Sequence, residues 1–144
     1  MMNIVEKGYG KINLALAITD RRADGYHNID TIFQSIGLCD TVTVSEADAF
    51  ELTCSQPSLA CDETNLAYKA WKALCPYKKD NQQVTIHIEK HIPIAAGLAG
   101  GSTDCAAVLR GLNRLWGLEL PETELCRLGA GLGADVPFCI CGGT

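Results

Sequence analysis

The sequence contains no apolar run near the ~20 residues needed to span a bilayer, which excludes a helical membrane span. Its first residues, Met-Met-Asn-Ile-Val-Glu-Lys, lack the apolar core of a secretory signal. Positive charge is scarce: 12 Lys and Arg stand against 17 Asp and Glu, a formal net charge of −5. That balance weighs against nucleic acid and anionic membrane surfaces as partners. Among the eight cysteines there is no C-x-x-C pair and no zinc-like spacing. Most sit beside apolar residues, as Cys39 and Cys139 do. They read as small hydrophobes with reduced thiols, and the chain reads as a soluble cytoplasmic protein. No repeat, low-complexity segment or Pro/Gly/Ser-rich linker divides the 144 residues, a length that suits one domain. With 47% hydrophobic and 20% charged residues there is material for a core, and a disordered tail is excluded.

What is present changes character along the chain. Residues 11–18 place Ile12, Leu14, Leu16 and Ile18 at every second position, the period of a strand. Arg21-Arg22-Ala23-Asp24-Gly25-Tyr26 carries an Asp-Gly turn signal. Strand patterns rich in Ile, Val, Thr and Phe follow at about 28–37, 40–46 and 49–54. A helix is predicted over 64–75, with Thr64 as its N-cap, an apolar stripe of Leu66, Ala67, Ala70 and Leu74, and Pro76 as its stop. Residues 84–89 alternate as a half-buried strand. A Gly/Ala-rich stretch at 93–101 leads into a helix over about 102–116 that Gly117 closes. Pro121 opens a further helix reaching about Leu128, and Val136–Cys141 reads as an edge strand. Strands first and helices afterwards predict an α+β fold, an antiparallel or mixed sheet packed on helices. The closing Gly142-Gly143-Thr144 reads as a turn into further chain.

The stretch from Pro93 to Asp104 joins a predicted strand to a predicted helix. Small residues there let the backbone approach a ligand, and the free N–H groups of a helix start favour anions. Ser102 can cap the helix and offer its hydroxyl to a phosphate. The Walker pattern G-x-x-x-x-G-K-S/T is absent, because no lysine follows the glycines, and G-x-G-x-x-G fails on spacing. Three other places hold candidates. Lys11 lies within a strand, where an ammonium must reach solvent or meet an anion. Tyr26 and His27 pair two rings that can hold a base or sugar. Asp135 puts a single carboxylate between a Gly-rich turn and an apolar run, where it can accept a proton from a hydroxyl.

Together, Lys11-Ile12-Asn13-Leu14, Asp24-Gly25-Tyr26-His27, Pro93 through Ser102 and Gly133-Ala134-Asp135-Val136-Pro137 resemble the GHMP small-molecule kinases, over essentially the whole chain. The resemblance implies that residues 1–144 are the N-terminal, ATP-binding domain of that family, in its ribosomal protein S5 domain 2-like fold, with the C-terminal domain missing. It implies ATP and Mg²⁺ as cofactors, and no redox group. The Asp24–His27 element marks the branch that phosphorylates the 2-hydroxyl of 4-diphosphocytidyl-2-C-methyl-D-erythritol in the non-mevalonate isoprenoid pathway. By the same resemblance Asp135 is the base on that hydroxyl, and Lys11 assists it and steadies the transferred phosphoryl group. Asn13 contacts the methylerythritol, while Tyr26 and His27 hold the cytosine. Pro93, Ala95, Ala96, Gly97, Leu98, Ala99, Gly100, Gly101, Ser102 and Thr103 surround the ATP phosphates, with Asn65 and Lys90 flanking the nucleotide. Ala99 stands where many members of the family have glycine.

Each residue also has a plain structural reading. Lys11 can be a solvated strand lysine, Tyr26 and His27 can close a turn, and Asp135 can anchor its own Gly-rich turn. Trp71 and Trp116 read as packing residues, His87 and His91 as ordinary strand and loop positions, and Arg21-Arg22 as a solvated turn. The alternative to an active kinase is an inactive half-kinase that at most binds nucleotide. Loss of a partner domain would leave an apolar surface through which the chain self-associates.

Overall fold

The computed structural model describes residues 3–21, 27–79, 81–93 and 100–141, and their side chains except those of 12–21 and 27–35. The first half of the chain is three strands: β1 (Asn3–Arg21), β2 (His27–Ala47) and β3 (Glu51–Cys54). Next come α1 (Leu66–Leu74), a short 3₁₀ turn at Cys75–Tyr77, and β4 (Gln83–Glu89). Three helices finish it: α2 (Gly100–Leu115), α3 (Glu122–Leu132) and α4 (Val136–Cys141). The sheet order is β1-β2-β4-β3. β2 runs antiparallel to both β1 and β4, and β3 lies parallel to β4. The expected α+β fold with a mixed sheet is present.

The strands predicted at 28–37 and 40–46 are one continuous strand. The break in pattern is a register irregularity instead: Tyr9 pairs with Cys39 but Lys11 pairs with Ser35, so Ile36–Leu38 are extra residues facing Gly10. A bulge keeps the ladder going while bending the strand, which sequence periodicity alone does not separate from a strand end. The predicted Asp-Gly turn falls on residues 22–26, outside the described residues.

β4 alternates as expected, with Val84, Ile86 and Ile88 fully buried. They and Val42 and Val44 of β2 meet α2, whose Val108, Leu109 and Leu112 are inaccessible to water. Each such side chain contributes about 1.5–3 kcal/mol of burial. α1 begins one residue later than predicted: Asn65, not Thr64, is its N-cap, its Oδ1 accepting the Ala67 N–H at 2.8 Å. Thr64 is held away by Asp62, which accepts from both its N–H and its hydroxyl. Pro76 stops the α-helix as anticipated, sitting in the 3₁₀ turn. α2 starts at Gly100, so Ser102 is its third residue and not its cap. Gly117, at φ +61°, closes it.

α3 runs four residues past the expected Leu128, to Leu132, and passes through Gly129, where α4 crosses closely. A Cβ at Gly129 would lie 2.6 Å from Val136 Cγ1 and 3.1 Å from Ile140 Cδ1. The largest departure is Val136–Cys141, predicted as an edge strand and found as α4. Six apolar residues have no readable period, and the run buries Val136, Cys139 and Ile140, the spacing of one helical face. Pro137 fits because the N–H it lacks belongs to the first turn. All eight cysteines are free thiols. Trp71 stacks on Phe50 at 3.7 Å between ring centroids, in keeping with a packing role.

Candidate functional site

Lys11 lies just past the irregularity in β1. Up to there the strand alternates, with Val5, Lys7 and Tyr9 outward, but Gly10 and Lys11 are both buried. The bulge thereby turns into the protein a lysine that plain alternation would leave in water. Its ammonium lies 3.8 Å from Asp135 Oδ2, with the lysine side chain 8% and the aspartate 40% exposed. Of the two readings of Lys11, the buried cation facing an anion is the one found.

Asp135 sits immediately before α4, its carbonyl accepting the Cys139 N–H at 3.1 Å. The turn that carries it touches the first turn of α2: a Cβ at Gly133 would come 3.9 Å from Ser102 Oγ. Beneath, β1 meets α2 backbone to backbone, since a Cβ on Gly8 would lie 2.9 Å from the Thr103 carbonyl and 3.0 Å from its hydroxyl. The absence of a side chain at Gly8 is what allows that contact. Arg110 fixes the surroundings. It donates to Glu6 Oε1 at 2.9 Å and the Lys7 carbonyl at 2.9 Å on β1, and to the Cys139 carbonyl at 3.0 Å on α4.

A second ionic group lies under the start of α2. The Lys90 ammonium, 5% exposed, donates to Asp40 Oδ2 at 2.6 Å and Asp104 Oδ2 at 3.0 Å. Asp40 also accepts the N–H groups of His91 at 2.7 Å and Ile92 at 2.9 Å. Burial pushes the Asp104 carboxyl up to about 8, reinforced by the facing Asp40 carboxylate, while Lys90 pulls the other way. Burial also raises Asp40, but hydrogen bonds from Asp104, Ile92, Lys90 and His91 outweigh it and leave Asp40 below its usual value. Burial lowers Lys90, and its two carboxylate partners overcome this and raise it. Asp104, its carboxyl pushed up to about 8, therefore holds a proton more readily than Asp40 does, and its Oδ1 is buried without a hydrogen-bond partner among the described residues.

The sequence candidates are thus brought together in part. Lys11, Asp135, Ser102 and Thr103 gather where β1, the first turn of α2 and the start of α4 meet, while Gly100 faces Lys90 and Ile92 and Gly101 faces Leu66 of α1. Thr103 is buried between α2 and Gly8. Pro93 and Lys90 line a cavity of about 270 Å³ with Gln56, Ser58, His91 and Ile92. Asn65 does not line it; it stands at the start of α1, which begins beside α2, Leu66 Cδ1 being 3.7 Å from a Cβ on Gly101. Its amide caps α1 and donates to the Ala60 carbonyl at 2.8 Å. Tyr26, Ala95, Ala96, Gly97, Leu98 and Ala99 lie outside the described residues, as do the side chains of Asn13 and His27. The backbones of the last two pair with Phe33 and Arg21 in the β1–β2 ladder. Sequence reasoning overlooked Asp40, Asp104, Gly8 and Arg110. Among the described residues no three His, Cys, Asp or Glu side chains converge as a metal site, and no helix is long and apolar enough to cross a membrane.

Residues 65–143 match the family described as GHMP kinases N terminal domain. The chain is 49% identical over 144 residues to a 4-diphosphocytidyl-2-C-methyl-D-erythritol kinase of Clostridium botulinum (strain Eklund 17B / Type B), covering 99% of this chain and 51% of that protein. It is 53% identical over 135 residues to the protein of the same name from Synechococcus sp. (strain JA-2-3B'a(2-13)), covering 93% and 43%. Among solved structures, a 4-(cytidine 5'-diphospho)-2C-methyl-D-erythritol kinase superposes with a TM-score of 0.76 at 36% identity, over 96% of this chain and 49% of that one. Streptococcus pneumoniae phosphomevalonate kinase gives 0.71 at 14% identity, over 99% and 47%, a likeness of fold alone. The chain spans about half the length of the curated relatives it matches.

Proposed function

Because the chain belongs to the GHMP kinases, whose N-terminal domain its residues 65–143 match, we propose that residues 1–144 are the nucleotide-binding half of an ATP-dependent small-molecule kinase. Its acceptor is the 2-hydroxyl of 4-diphosphocytidyl-2-C-methyl-D-erythritol. The observation that carries this reading is the pairing of Lys11 with Asp135 at 3.8 Å, beside Ser102 on the first turn of α2. The identity of 49% to a relative named for that substrate supports the choice of acceptor.

In this reading the hydroxyl oxygen attacks the γ-phosphorus of ATP, the bond from that phosphorus to the β,γ-bridging oxygen breaks, and ADP leaves. Asp135 takes the hydroxyl proton. Lys11 holds the carboxylate in place and faces the equatorial oxygens, where a transferring phosphoryl group spreads its charge. The amide groups of Gly100–Thr103 offer anion contacts at the helix start. Magnesium bound with the nucleotide near the Ser102 hydroxyl would neutralise phosphate charge there. Asn13 is assigned to the methylerythritol, and Tyr26 and His27 to the cytosine.

The test is ADP release from MgATP with and without the cytidine-containing substrate. Release that depends on the substrate, and that Asp135→Asn lowers by about 10²–10⁴-fold, is expected. Release indifferent to the substrate, or untouched by the substitution, overturns the assignment.

A further inference from the structure

Lys90 lines the cavity beside the proposed nucleotide site, yet its ammonium points inward. A Cβ on Gly100 would come 3.1 Å from Lys90 Nζ and 3.2 Å from Ile92 Cγ2, so the cation sits directly under the first residue of α2. Asp104 reaches it from α2 itself, and Asp40 reaches it from β2. Asp40 also gathers the two main-chain N–H groups at which the chain leaves β4. Two elements, β2 and α2, therefore converge on the buried ammonium carried by the segment after β4.

We propose that Asp40, Lys90 and Asp104 are positioning residues, a buried brace that holds the first turn of α2 against β2 and the Lys90–Ile92 segment so that nucleotide phosphate meets that turn already in place. The inference rests on the nucleotide-binding reading above and gives its site a support. The brace is neutral when Asp104 keeps its proton and carries one net negative charge when it does not. A charge gained beneath the turn repels the polyanion bound above it, through an interior that screens poorly. Among the described residues, the titratable groups against Asp104 are Asp40 on β2, Lys90 after β4 and, on α2 itself, Cys105. That thiol is pushed up to about 12 by burial and stays neutral throughout.

The experiment is MgATP binding to the chain by calorimetry across the alkaline range. Wild type is expected to bind about tenfold more weakly at pH 9 than at pH 7, the loss that follows when only the protonated form is competent. Asp104→Asn keeps the shape and the neutral state, so it is expected to match wild type at pH 7 and to stay level at pH 9. Lys90→Met, which leaves the buried Asp40 carboxylate without its ammonium, is expected to weaken binding at least tenfold at both. A merely structural strut would not give the pH split between wild type and Asp104→Asn. Should Lys90→Met fail to fold, Asp104→Asn alone decides. The brace is overturned if Asp104→Asn binds tenfold more weakly at pH 7 or shows the same alkaline loss as wild type. If wild type binds no MgATP at pH 7, the nucleotide reading has failed. The brace is then judged by thermal midpoints: Asp104→Asn gaining on wild type as pH rises from 5 to 9 supports it, and parallel curves overturn it.

Discussion

Lys11 and Asp104 are both buried ionisable side chains, and they solve the same difficulty differently. Lys11 faces a carboxylate that is still 40% exposed, so the pair keeps access to water and to a ligand. Replacing Lys11 with Met keeps the stem and removes the charge. Turnover is expected to fall by about 10²–10³-fold, the scale of losing one preorganised charge contact in a transition state. MgATP affinity should change much less, a contrast that steady-state kinetics beside calorimetry checks. Asp104 instead keeps a proton. The unfolded chain loses that proton near pH 4, while the folded chain holds it to about 8. Between those values the unfolded state binds fewer protons, so this group's contribution to stability declines as pH rises. Lys11 was legible as a question, because an ammonium inside a strand needs an anion. Asp104 was not, since an Asp near the start of an apolar helix looks like an ordinary solvated or dipole-favoured residue. Only the fold brings Asp40 and Lys90, 50 positions apart, to it.

Elements show the same division between local and remote causes. β4, α1 and the 3₁₀ turn at Pro76 follow from local pattern. α4 does not, because the burial of Val136, Cys139 and Ile140 against α2 and α3 decides between helix and strand for a short apolar run. The approach of α4 to Gly129 is tight enough to test. Gly129→Ala puts a methyl 2.6 Å from Val136 Cγ1, an overpacking expected to cost about 1–3 kcal/mol. Asp135 directly precedes α4, so turnover should fall along with the unfolding midpoint, whereas the same change at Gly131, which meets nothing within 4 Å, should leave turnover intact. Denaturant unfolding and ADP release on the two variants provide the check.

For the whole molecule, the sheet presents Val5, Tyr9 and Leu38 to solvent at 55%, 45% and 39% exposure. Val5 and Tyr9 share the outward side of β1, and Tyr9 pairs with Cys39, beside Leu38. An apolar strip of this kind on a sheet favours association. The chain, spanning about half the length of its relatives, is expected to self-associate with rising concentration in sedimentation experiments. Val5→Ser with Tyr9→Ser should suppress this. Unchanged association in the double variant would move the contact elsewhere.

Arg110 joins β1 to α4, with Glu6 104 positions before it. The consequence concerns time. β1 and β2 are consecutive and can pair as soon as both have been synthesised, but the guanidinium finds its Cys139 carbonyl only after nearly all of these residues exist. Long loops close late because their entropy must be met before the contact rewards it. The meeting of Lys11 with Asp135 is subject to the same delay. A chain halted before Asp135 would carry the strand ladder and Lys11 without that carboxylate, so the corner where β1, α2 and α4 meet is the last part of these residues to be assembled.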